Sequence, residues 1–207
     1  MLIYDPLFYA VSIPAVLLYG IAKGGFAGPL AILGVPLMSL VISPLQAAAI
    51  LLPILCIQDM ISIYSYRRSY HLKNLIILLP SALIGIILGY FWFSLLSENN
   101  IRIFLGLLAI ALPFNIYMLP QKLDHRVYVG TGAIFFGLVN LFKLYPYYLL
   151  DQLRIENITT AIFLMPFAPL GFYIGYKLTQ KLDGEKFYAI TYACLLIIGL
   201  KLLSDGL

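Results

Sequence analysis

Charge is scarce in this chain. Of 207 residues only 11% are Asp, Glu, Lys or Arg, while 62% are hydrophobic; the mean hydropathy is +0.97. A water-soluble domain of this length has too much surface to cover with so few charges. The solvent is therefore lipid, where only helices or closed barrels satisfy the backbone. Strands would alternate in polarity; the apolar runs here are long and continuous, so helices are expected. Cysteine is sparse too. Cys56 and Cys194 sit inside apolar runs, which suits small buried hydrophobes and defines neither a disulfide framework nor a metal-ligand spacing. Catalytic signatures are missing: there is no His-Glu-x-x-His, no Gly-x-Ser-x-Gly and no phosphate loop. No polar stretch is long enough to form a separate soluble domain. The reading is a non-enzyme with no cofactor, no metal and no nucleic-acid partner. The N-terminus, Met1-Leu2-Ile3-Tyr4-Asp5, has no basic residue, so the first apolar segment is expected to stay as an anchor rather than be cleaved.

What is present is length and repetition. Apolar segments run at about 7–21, 26–42, 44–65, 72–96, 100–119, 127–149, 156–178 and 185–204, and a crossing takes about 20 residues. The expected fold is an all-α integral membrane protein of about eight hydrophobic helical segments. The first two are short and meet at Lys23-Gly24-Gly25, so 26–42 is read either as a span or as a re-entrant half-helix. If all eight cross, one face collects Lys23, Arg67, Arg68, Lys73, Lys122, Arg126, Lys177, Lys181 and Lys186; the other collects Arg102, Arg154 and Lys201. That excess marks the cytoplasmic side and places both termini outside. One pattern occurs twice. Leu79-Pro80 precedes Gly85 and Gly89, and Met165-Pro166 precedes Gly171 and Gly175. The two copies fall on the fourth and seventh segments, which run in opposite directions, so an inverted repeat is expected, as in many secondary transporters. Glycines four apart share a helix face and admit a second backbone; they are read as scaffold.

The stretch Gly20-Ile21-Ala22-Lys23-Gly24-Gly25-Phe26-Ala27-Gly28-Pro29 interrupts an otherwise apolar region. Glycine loosens the backbone and proline opens a helical hydrogen bond. Such backbone must line protein or a wet cavity, and a half-helix starting there would present its positive end to an anion, with Lys23 adding a full charge. A turn at the interface with a snorkelling lysine is equally open. Asp59, beside Gln58, lies within the third segment. It is read either as a buried proton carrier or as a partner of Arg67 or Arg68 near the interface. In the sixth segment Asn140 reads as a helix–helix hydrogen-bonding group and Lys143 as an outward snorkel. The expected directions of the segments argue against a pair between Lys143 and Asp59.

Taken in order, these residues resemble the sulfite exporter TauE/SafE family. The first half carries Lys23-Gly24-Gly25-Phe26-Ala27-Gly28, Val35-Pro36-Leu37, Gln46-Ala47-Ala48, Leu51-Leu52-Pro53, Asp59 and Tyr64-Ser65-Tyr66-Arg67-Arg68. The second carries Pro120-Gln121-Lys122-Leu123, Gly130-Thr131, Phe135-Phe136, Asn140-Leu141-Phe142-Lys143, Pro166, Pro169-Leu170-Gly171 and the run from Phe187 to Leu203. The resemblance implies a carrier of small anions, chiefly sulfite and organosulfur compounds, in the cytoplasmic membrane. It implies that Lys23, Gly24, Gly25 and Gly28 belong to a substrate-region motif, with Asp59, Asn140 and Lys143 as further polar positions of the site. One departure is large. The second half of the family opens on its own Gly-rich motif, whereas here Leu105-Gly106-Leu107 runs through Leu112-Pro113 directly into Phe114-Asn115. Roughly two crossings of about 20 residues each are missing, an even number that preserves the direction of later helices. The chain is thus expected to form one transmembrane domain, 1–207, with a first half 1–112 and a shortened second half 113–207. Two functions are open: a permease for a small anion, its site complete or completed by a second copy of the chain, and a shortened, non-transporting assembly partner or relic.

Overall fold

The computed structural model describes residues 3, 5–26, 33–92 and 113–193, and every regular element among them is helical. Helix α1 (Pro6–Ile21) starts where Asp5 accepts a hydrogen bond from the Leu7 amide at 2.9 Å and Pro6 fills a position that needs no donor. It winds on into a π-helical turn, Ala22–Phe26. A short helix, α2 (Gly34–Met38), follows, then α3 (Pro44–Tyr66), capped by Ser43, and α4 (Leu72–Trp92). Beyond come α5 (Pro113–Met118) with a 3₁₀ turn at Leu119–Gln121, α6 (His125–Leu149) capped by Asp124, α7 (Ile155–Leu164), α8 (Phe167–Thr179) and a last helical stretch, α9, at 184–193.

Four helical stretches are long and apolar enough to cross a membrane: Pro6–Phe26, Pro44–Tyr66, Leu72–Phe91 and His125–Leu149. A fifth crossing is possible only as a broken one, because α7 and α8 meet at an angle of 47°. The segment read at 156–178 is thus bent, either as one broken span or as a re-entrant pair. Pro166 has no amide hydrogen to continue the helical ladder, and the helix bends where the bond is lost. The described residues thus hold four or five candidate spans, and an eight-segment inverted arrangement is not seen among them. The described part of 26–42 forms only α2, five residues long, too short to cross. Most of 100–119 and the end of 185–204 lie outside the described residues. The protein is an all-α membrane protein.

Backbone contact organises the bundle. A β-carbon built on Gly171 would meet the Leu17 carbonyl oxygen at 2.4 Å, and one on Gly175 the Ile21 oxygen at 2.2 Å. Helix α8 therefore lies directly against α1, as close packing in lipid requires. The second copy of the pattern behaves differently. No described atom lies within 4 Å of a β-carbon placed on Gly85 or Gly89, and α4 turns Ile76, Ile84, Ile87 and Phe91 outward. Only one of the two glycine pairs read as scaffold is in contact with a described helix. Phe114, Tyr128, Phe135 and Phe187 join Phe26, Tyr66 and Phe172 in an aromatic core, and the Tyr128 hydroxyl donates to Asn115 at 2.6 Å.

Alanine at Gly171 or Gly175 is expected to cost about 1–3 kcal/mol each by overpacking. Alanine at Gly85 or Gly89 should change stability by less than about 0.5 kcal/mol. Thermal unfolding of the four purified variants in detergent checks both halves of this contrast.

Candidate functional site

Three buried polar side chains meet where α1 unwinds. A π turn carries one residue more than an α turn, and such turns cluster at functional positions. Here the extra residue lets one short segment face two ways. Gly24 and Gly25 lie against α8: a β-carbon on Gly24 would stand 2.2 Å from the Phe172 carbonyl oxygen, and one on Gly25 1.7 Å from the Thr179 hydroxyl. Lys23 points the other way, into the bundle, and is only 6% exposed. Its ammonium pairs with Asp59 of α3 and lies 5.3 Å from the centre of the Phe136 ring on α6. The second Asp59 oxygen accepts a hydrogen bond from the Asn140 amide at 2.7 Å. Gly137, one turn before Asn140, brings α6 close to α3; its β-position is 3.4 Å from the Asp59 β-carbon.

Helix α3 also satisfies the backbone that the π turn frees. Ser62 donates to the Lys23 carbonyl at 3.0 Å, and Tyr66 to the Gly24 carbonyl at 2.6 Å. One turn earlier Gln58 donates to the Val16 carbonyl at 3.3 Å. Asp59, Ser62 and Tyr66 recur at helical spacing, so one face of α3 is a polar stripe aimed at α1. Loose backbone in lipid needs such partners.

Both alternatives read for Lys23 and Asp59 shift accordingly. Lys23 does not snorkel. Asp59 does not pair with Arg67 or Arg68; the Arg67 guanidinium instead stacks 4.4 Å from the Tyr64 ring centre. Asn140 does bridge helices. Lys143 is half-buried, makes no ion pair with a described residue, and lines a cavity rather than reaching outward. Gly28 lies outside the described residues. The Ser62 and Tyr66 hydroxyls and Gly137 were not singled out from the sequence, although the i, i+3, i+7 stripe from Asp59 was a usable signal.

That cavity has a volume of about 630 Å³ and lies among α1, α2, α3, α4 and α6. Its wall is largely apolar, with Tyr19, Tyr90, Asn140, Lys143 and Tyr147 as the groups able to donate hydrogen bonds. A second, much smaller cavity of about 70 Å³ is lined by Ser65, Tyr66, Ser69, His125, Arg126, Tyr176, Thr179 and Gln180. The two are ordered along the helices. On α3 the large cavity touches positions up to Leu55, the ion pair sits at Asp59, and the small cavity begins at Ser65. On α6 the small cavity touches Arg126, Asn140 meets the ion pair, and the large cavity extends to Tyr147. Along α3 and α6 the Lys23–Asp59–Asn140 layer lies at a level between the large cavity, which Asn140 also lines, and the small, polar one.

A π turn closing a membrane-spanning helix, a buried ion pair beside it and cavities at two levels of the bundle fit the transporter class of membrane protein. The sulfite exporter TauE/SafE family model matches the chain twice, over residues 12–119 and 109–202. The chain belongs to this family, whose members are membrane exporters of the sulfite type. Curated proteins and solved structures gave no match.

Replacing Lys23 by Met, or Asp59 by Leu, leaves one uncompensated charge in the bundle and is expected to cost about 3–5 kcal/mol. The double replacement should recover most of that loss. Unfolding midpoints of the two single variants and the double variant in detergent measure the difference.

Proposed function

We propose that this protein carries a small oxyanion, sulfite or an organosulfonate, across the cytoplasmic membrane. Support comes from one observation above all: a single layer of buried side chains, Lys23, Asp59 and Asn140, stands between two chambers that line up along α3 and α6. The large chamber offers an ammonium from Lys143, an amide from Asn140 and hydroxyls from Tyr19 and Tyr147, a donor set suited to the oxygens of an anion. Its apolar walls strengthen each of these contacts by excluding water. The substrate rests there, and Lys23 receives it when the layer opens. Gly24 and Gly25 serve by letting the π turn lie flat on α8, which fixes the direction of Lys23; Gly28 belongs to the same motif. Arg126 and His125 line the opposite chamber, on the side that the distribution of lysine and arginine marks as cytoplasmic.

Flux of sulfite or a sulfonate into proteoliposomes tests this reading. Wild-type protein is expected to show saturable, anion-dependent flux, and Lys143→Gln should lower it by at least about tenfold, the loss of one charge-assisted contact. Correctly inserted protein without flux would favour the shortened, non-transporting reading instead.

A further inference from the structure

Among the described residues, the charged side chains around the ion pair, Lys23, Asp59 and Lys143, do not balance. Lys23 and Asp59 cancel as an ion pair. Lys143, one turn beyond Asn140 on α6, is left over. It lines the large chamber, and no described carboxylate lies within ion-pairing distance of it. Both Asp59 oxygens are already engaged, by Lys23 and by Asn140. The other titratable groups facing the pair or the chamber are Tyr19 of α1, Cys56 of α3, Tyr90 of α4 and Tyr147 of α6. Phenols and thiols carry no negative charge at neutral pH, so none of them supplies the missing counter-charge.

A lone ammonium facing apolar walls is costly, and lysine, unlike arginine, can avoid the cost by releasing its proton. An anion in the chamber removes that cost, because ammonium and anion then neutralise each other. We propose that the chamber takes up its anion together with one proton held on Lys143 Nζ, so that the two cross as a neutral pair. The Nζ lone pair takes the proton from water on the side to which the chamber is open. Nζ gives it back to water when the anion leaves. Both oxygens of Asp59 are taken, one by Lys23 and one by Asn140, so the proton is assigned to Lys143 and not to Asp59. The inference rests on the anion-site reading above.

The experiment is calorimetric titration of the full chain in detergent with methanesulfonate. As the anion of a strong acid it brings no proton of its own. Repeating the titration in buffers of different ionisation enthalpy counts the protons taken up. The expected result is about one proton per anion in the wild type, with the dissociation constant rising about tenfold per pH unit in alkaline solution. Lys143→Arg should bind methanesulfonate with no proton uptake, since arginine stays charged. Wild-type binding without proton uptake overturns the coupling and leaves the anion site standing. Absence of binding overturns the site and the coupling together. Uptake that persists in Lys143→Arg overturns the assignment to Lys143. If the arginine variant fails to insert, the wild-type proton count and pH slope still decide whether coupling exists, and Lys143→Gln, expected to bind without the slope, decides the residue.

Discussion

The Lys23–Asp59 pair is the constraint on which the rest depends. Two opposite charges stand where the solvent is lipid, and neither can be removed alone without stranding the other. Each neighbour of the pair makes sense in that light. Asn140 occupies the second carboxylate oxygen, Phe136 offers its ring to the ammonium, and Ser62 holds the carbonyl of Lys23 itself. The pair links the π turn of α1, the polar stripe of α3 and the glycine-bearing stretch of α6. These are the elements whose meeting point lies between the levels of the two chambers.

Composition alone made the membrane class legible, because 11% charge cannot cover a soluble surface. The order of the motifs made the family legible. The site was legible only as a set of residues. Lys23, Asp59 and Asn140 each stood out as polar groups in apolar runs, but sequence spacing could not reveal that they touch. Lys23 and Asp59 are 36 positions apart, and Asn140 is a further 81 along the chain. The nearest opposite charges in sequence, Arg67 and Arg68, were the obvious partners for Asp59, and the crossing of α1 over α3 overrode them. Local periodicity fixes which face of a helix is polar; it does not say which other helix meets that face.

The glycine pattern teaches the same lesson. Gly85-x3-Gly89 and Gly171-x3-Gly175 are equivalent as sequence. In space one pair carries α1 on its surface and the other borders the large chamber beside Asn140 and Lys143. A small residue permits close approach without providing something to approach. The bend at Met165-Pro166 was likewise written in the proline, yet an equally placed Pro80 sits inside an unbroken α4. Proline weakens one bond of the ladder, and the surrounding packing decides whether the helix yields there.

The contact between α1 and α8 has a mechanical consequence. It is made mostly of backbone against backbone, Leu17 and Ile21 carbonyls over Gly171 and Gly175 and Gly24 over the Phe172 carbonyl, with the short Thr179 side chain under Gly25, and so has little side-chain slack to slide on. These two helices must travel as one stiff lever. Any motion that exposes the ion pair to one bath and then the other must therefore shear along the softer seam, where long side chains of α3 and α6 reach across to α1.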